Sequence, residues 1–262
     1  MKVAISSTVV LIFLLIIFLS VVNKNKEEKG GGEMISEANL TLTTLYDNYE
    51  HDPELKTAWG FSCLARDGKT ILFDTGGDSE TLLYNMEKLG IDAKKIDTIV
   101  LSHIHGDHTG GLSGILEINS NVSVYIPKSF PDSFKNDVKS YGAEVVEVSG
   151  STKIYPSVYT TGELGTWIKE QSLITNTDRG LVVITGCSHP GIVNILKKVK
   201  EVTGQEIYLV IGGFHLLGAS DSELRDIIKS FRELGVKKVA PCHCSGDRTR
   251  QLFKEEYKDD FI

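Results

Sequence analysis

A chain of 262 residues with 41% hydrophobic content is long enough to bury one large core, and no internal repeat points to a solenoid. Its formal net charge of −7 is spread along the sequence without a basic stripe, which argues against tracking a phosphate backbone and against nucleic acid as a partner. Seven histidines and four cysteines carry most of the chemical information.

The first segment stands apart from the rest. Val3 to Val22 is almost wholly apolar and, at about 20 residues, long enough to cross a bilayer. It reads as an N-terminal transmembrane anchor, with a signal segment and an exported domain as the alternative, although no Ala-x-Ala site follows. Lys24, Lys26 and Lys29 outnumber Lys2, so the positive-inside bias puts the domain on the cytoplasmic side. Residues 23–38, with mixed Lys and Glu and Gly30-Gly31-Gly32, read as a linker. The folded domain is expected over 39–262.

Leu40 to Tyr46 alternates and is rich in β-branched residues, as a strand is. Trp59 to Ala65 and Thr70 to Phe73 predict a hairpin around Arg66-Asp67-Gly68-Lys69. A helix is expected from Asp78-Ser79-Glu80, with Leu82, Leu83, Met86 and Leu89 as its apolar stripe and Gly90 as its stop. Ile96 to Leu101 is a buried strand by composition, and Leu112 to Leu116 resumes a helical pattern. Val122 to Ile126 and Glu144 to Val148 read as strands around a helix over Asp132 to Tyr141. Such alternation implies an α/β protein with helices packed on a sheet. From Ser157 onward the strands crowd: Val158 to Thr161, Gln171 to Thr175 and Leu181 to Thr185, the last two joined by a turn at Asn176 to Gly180. A second sheet follows from that crowding. Helical patterns at Ile192 to Leu196 and Asp221 to Leu234 then separate strands at Ile207 to Ile211 and Val236 to Ala240.

Six of the seven histidines sit where an apolar strand ends. His103, His105, Asp107 and His108 follow the first such strand, spaced His-x-His-x-Asp-His, with Thr109-Gly110-Gly111 after them. Imidazole and carboxylate at this spacing suit a divalent cation. Because side chains alternate along an extended backbone, His103 and His105 face one position, while Asp107 and His108, beyond the turn at Gly106, face a second. His189, His215 and His243 follow three later strands, and isolated His51 reads as a surface residue. Zinc is the default for such a set, and manganese or iron tolerate the same donors. Cys187 lies two residues before His189, and Cys242 and Cys244 flank His243. That clustering reads as reduced thiols and not as a disulfide framework.

The His-x-His-x-Asp-His run followed by Thr-Gly-Gly resembles the signature of the metallo-β-lactamase superfamily. Asp47-Asn48-Tyr49, Gly60-Phe61-Ser62, Ile71-Leu72-Phe73-Asp74-Thr75-Gly76, Gly186-Cys187-Ser188-His189-Pro190-Gly191-Ile192, Gly212-Gly213-Phe214-His215-Leu216 and Cys242-His243-Cys244-Ser245-Gly246 further resemble the branch named for a methanopterin-pathway dihydropterin synthase. That enzyme joins a dihydropterin-methyl group to an aminobenzene ribofuranosyl phosphate. The resemblance implies an αββα sandwich of two mixed sheets flanked by helices. It implies two divalent metal ions, His103, His105 and His189 binding one and Asp107, His108 and His243 the other. Asp74 would orient the ligand loop from behind. The carboxylate that bridges both metals in binuclear relatives has no counterpart here, which leaves Cys187 and His215 as substitutes. Cys187 stays open between ligand and buried structural thiol, whereas His215 is expected to hold a substrate phosphate or carbonyl.

The implied reaction is transfer of a pterin-methyl group onto an amine of a phosphorylated small molecule. Hydrolysis of a phosphoester or lactone, with Asp107 as proton acceptor, is the alternative, and a membrane-tethered metal sensor the third reading. Arg248 and Arg250 are expected to solvate the terminal helix.

Overall fold

Side chains on successive strand residues sort into different layers, and that alternation builds the architecture of residues 40–262, the part described by the computed structural model. The first sheet holds β1 (Thr41–Tyr46), β2 (Ser62–Asp67), β3 (Lys69–Phe73), β4 (Thr98–Val100), β5 (Ser123–Pro127) and β6 (Glu144–Val148) in that order. β1 to β3 pair antiparallel and β3 to β6 parallel. The second sheet holds β7 (Thr152–Tyr155), β8 (Val158–Thr160), β9 (Leu173–Thr177), β10 (Gly180–Thr185), β11 (Ile207–Gly213) and β12 (Lys238–Cys242). It is antiparallel from β7 to β10 and parallel from β10 to β12.

In β2, Cys63 and Ala65 enter a layer shared with Phe73, Val100, Leu173 and Ile184, the packing between the two sheets. Leu64, between them in sequence, faces the other way, onto Leu82 and Met86 of α1 (Ser79–Lys88). The same outer layer takes Ile115 of α3 (Leu112–Ile118) and Val138 of α4 (Asp132–Ser140). On the far side, Leu181, Val183 and Val210 pack against α5 (Ile192–Thr203), α6 (Asp221–Glu233) and α7 (Asp247–Tyr257). Helix, sheet, sheet and helix are thus four successive layers, the αββα arrangement expected.

Several boundaries differ from the sequence expectation. The first hairpin turns on Gly68 alone, since Asp67 and Lys69 are already paired, and β2 begins at Ser62. Trp59 to Phe61 stays outside the strand because Phe61 N–H donates to the carbonyl of Asp107. Asn176 and Thr177 lie in β9, which shortens the following turn to Asp178-Arg179. β7, an edge strand, carries no apolar alternation strong enough to announce it. Leu89 caps α1 and is exposed, while Asn85 takes a buried place in its stripe. The anchor or signal segment expected at 1–22 and the linker at 23–38 lie outside the described residues. Among the described residues no helix is long and apolar enough to cross a membrane.

Candidate metal centre

The parallel strands β3, β4, β10, β11 and β12 deliver their carboxyl ends to one place. Backbone geometry there is unusual: Asp74, Ser188, His215 and His243 all have positive φ (55°, 69°, 52° and 47°). Non-glycine residues hold that conformation at a cost of about 1–3 kcal/mol each, and such residues cluster where function demands it.

His103 and His105 leave β4 on extended backbone, and His103 Nε2 lies 3.2 Å from His105 Nδ1. The His189 ring lies 4.5 Å from that of His103 and 4.9 Å from that of His105. One nitrogen from each of the three falls within 4.8 Å of the others. Past Gly106 the chain makes a single helical turn, α2 (Gly106–Thr109), which was expected only as a turn. Asp107 and His108 sit on it and face His243, with Asp107 Oδ2 3.3 Å from His243 Nε2. Cys187 Sγ lies 3.2 Å from His108 Nε2 and 3.4 Å from His243 Nε2. Asp107, His108, Cys187 and His243 form a second donor group, and Cys187, His215 and Cys244 a third. All four cysteines are free thiols, as the sequence suggested. His51 is exposed and belongs to none of these groups.

Behind each inner imidazole stands an oxygen on its outer nitrogen. His108 Nδ1 lies 2.7 Å from Asp74 Oδ2. The same carboxylate accepts from the backbone N–H and the hydroxyl of Ser102, whose Oγ lies 2.9 Å from His103 Nδ1. His189 Nδ1 donates to Glu170 at 2.9 Å and His243 Nδ1 to Asn48 Oδ1 at 3.0 Å. With Nδ1 engaged, Nε2 of each ring is the free nitrogen directed inward, the arrangement that orients metal-binding histidines. Asp74 thus lies behind His108 and Ser102, hydrogen-bonded to both.

Electrostatics favour the same use. Burial holds His103 down to about 3 and His108 to about 4, so both rings are neutral at physiological pH with lone pairs available. Burial pushes Asp74 up to about 7. Burial also penalises the charge of Asp107, but its hydrogen bond to His243 and the nearness of His108 outweigh that and hold it well below the usual carboxylate range. Glu170 is wholly buried too, yet its bond to His189, the nearness of His103 and the backbone N–H groups that it accepts from bring it down to about 2. Neutral imidazoles, an ionised carboxylate and a thiol converging on small gaps form a donor set suited to divalent cations of the zinc type.

Glu170 escaped the sequence reading, and Asn48 and Ser102, though they lie in motif stretches, were given no supporting role there. Glu170 stands alone in a polar loop before β9, with no spacing that links it to a histidine 19 residues later. Asn48 is separated from His243 by 195 residues.

A family model described as the metallo-beta-lactamase superfamily matches residues 62–197. The chain belongs to the metallo-beta-lactamase superfamily. It is 36% identical to the 7,8-dihydropterin-6-methyl-4-(beta-D-ribofuranosyl)-aminobenzene-5'-phosphate synthase of Methanocaldococcus jannaschii, over 74% of this chain and 81% of that one. Among solved structures, a metal-dependent hydrolase of the beta-lactamase superfamily shares 33% identity, with a TM-score of 0.72 over 85% of this chain and 95% of the other. A metallo-beta-lactamase fold protein from Bacillus subtilis superposes with a TM-score of 0.62 at 15% identity, covering 85% and 93% of the two chains. This last likeness speaks for the fold alone.

Proposed function

We propose that this superfamily member is a metal-dependent enzyme that transfers a dihydropterin-methyl group to the amine of an aminobenzene ribofuranosyl phosphate, the reaction named for its M. jannaschii relative. The observation that carries the metal-dependent part is the convergence of ring nitrogens, with His103, His108, His189 and His243 each fixed from behind by an oxygen on Nδ1 so that Nε2 points inward. In this reading His103, His105 and His189 hold one divalent cation, and Asp107, His108 and His243 hold a second with Cys187 beside them. Bound cations of this kind neutralise a departing phosphate or lower the pKa of water.

The protein's own groups do the rest. Asp107 stays ionised, so it acts as a holder first and as a proton acceptor second. Trp59, 51% exposed, tilts against the ring of His243 at 4.9 Å. Its flat apolar face at the rim suits a planar heterocycle such as a pterin. Arg248, expected to solvate the terminal helix, is bonded to Asp221 and Gln251. Arg250 stacks over Tyr49 at 4.0 Å.

Hydrolysis of a phosphoester is the second reading, favoured by the 33% identity to the metal-dependent hydrolase. Incubating the zinc- or manganese-loaded protein with a pterin pyrophosphate, an arylamine acceptor and simple phosphodiesters separates the two. Amine-dependent product supports transfer, and acceptor-independent cleavage supports hydrolysis. Turnover of neither substrate class sinks both readings.

A further inference from the structure

Two thiols and an imidazole lie against the candidate metal centre in a group of which the transfer reading uses only Cys187. Cys187 Sγ, Cys244 Sγ and one nitrogen of His215 fall within 4.8 Å of one another. We propose that these three residues form a further seat for a thiophilic divalent cation of the zinc type, contiguous with the histidine positions and sharing Cys187 with them. Two thiolates and one imidazole match a tetrahedral zinc environment with its fourth position open. His215 is exposed while both cysteines are buried, so the group reaches the protein surface through its imidazole.

The backbone around the group is shaped to bring the sulfurs together. Gly213 ends β11 beside both cysteines: a Cβ there would meet Cys244 Sγ at 2.7 Å, Cys187 Cα at 3.3 Å and the carbonyl of Gly186 at 2.4 Å. Gly213 N–H donates to that Gly186 carbonyl, and the hydroxyl of Ser188 donates to the Gly213 carbonyl at 2.7 Å, which ties the ends of β10 and β11. Two residues later His215 adopts a positive φ of 52°, a conformation that non-glycine residues rarely hold without a local reason. Its ring stands 4.6 Å from that of His189, at the edge of the first histidine group. Cys187 lies at the junction, close to His108 and His243 on one side and to Cys244 and His215 on the other. This assignment gives His215 a ligand role in place of the substrate contact expected from sequence.

The test is cobalt loading of the purified full chain, read by metal content after desalting and by near-ultraviolet sulfur-to-cobalt charge transfer. Cys244→Ser and His215→Ala should each hold about one equivalent less than the wild type, and Cys244→Ser should lose about half of the charge-transfer intensity, because two thiolates become one. His105→Ala should lose metal without weakening that band, which separates failure of the histidine positions from failure of this seat. His215 is exposed, so its variant keeps the test open should Cys244→Ser fail to fold. Equal metal content in the wild type and both variants, or a charge-transfer band unchanged by Cys244→Ser, would overturn the proposal.

Discussion

One buried carboxylate, Glu170, accepts from the backbone N–H groups of Cys187, Ser188 and His189 and from His189 Nδ1. It therefore fixes both the path of the loop after β10 and the tautomer of a candidate ligand. Glu170→Gln keeps the shape but turns an NH2 group toward those donors and removes the charge that offsets them. Metal affinity at the His103, His105 and His189 position should fall about 10- to 100-fold, as measured by competition with a chromophoric chelator. An unchanged affinity would mean that the loop is held by packing alone. At this scale the candidate ligands were legible in the sequence because imidazoles after apolar strands are rare and their spacing within one loop is local. Glu170 and Asn48 were not, because a hydrogen-bond partner far along the chain leaves no pattern.

The elements that carry these residues end in glycine for reasons of space. Gly212 has φ +125°, and a Cβ there would lie 2.0 Å from the carbonyl of Thr185. Gly212→Ala combines an unfavourable conformation with a backbone clash, and should cost about 2–4 kcal/mol in urea unfolding. Gly68 at the first hairpin has φ +63° but open space around its position, so Gly68→Ala should cost only about 1 kcal/mol, from backbone conformation. A smaller effect at Gly212 than at Gly68 would contradict the close approach of β10 and β11. Helices were easier to read than strands because capping is local. Ser220 and Glu223 form a capping box at the start of α6, and Asp78 accepts from Thr81 N–H at the start of α1. Strand limits depend on partners instead: Asn176 and Thr177 look like turn residues until β10 lies beside them.

For the whole molecule, gathering the imidazoles sets a dependence on pH and on metal. His103 and His108 fall from 6.5 to about 3 and about 4 on folding. Between about pH 4 and 6.5 the unfolded chain binds protons at these rings that the folded protein refuses, so their contribution to stability falls as pH falls. Asp74 works the other way: raised from 3.8 to about 7, it keeps a proton in the folded state that the unfolded chain has lost, and its contribution falls as pH rises. Two rings oppose one carboxyl, so the melting temperature of the metal-free protein should drop from pH 6.5 toward 4. A flat profile over that window would count against burial of the two histidines in the neutral form. Zinc should raise the melting temperature and a chelator lower it, since a cation that binds only the folded chain stabilises it by mass action. Loss of that response in His103→Ala would tie it to this centre.

By itself the sequence determined the alternation of strands and helices, the two-sheet class, the strand ends that carry the histidines, and the family resemblance. These follow from local periodicity and from short motifs. Only the tertiary structure decided which donors meet. Whether Cys187 points at His108, whether Cys244 reaches His215, and which oxygen stands behind His103, His108, His189 and His243 all depend on the register and approach of β3, β4, β10, β11 and β12. Those are fixed by packing between residues distant in sequence, and no local pattern encodes them.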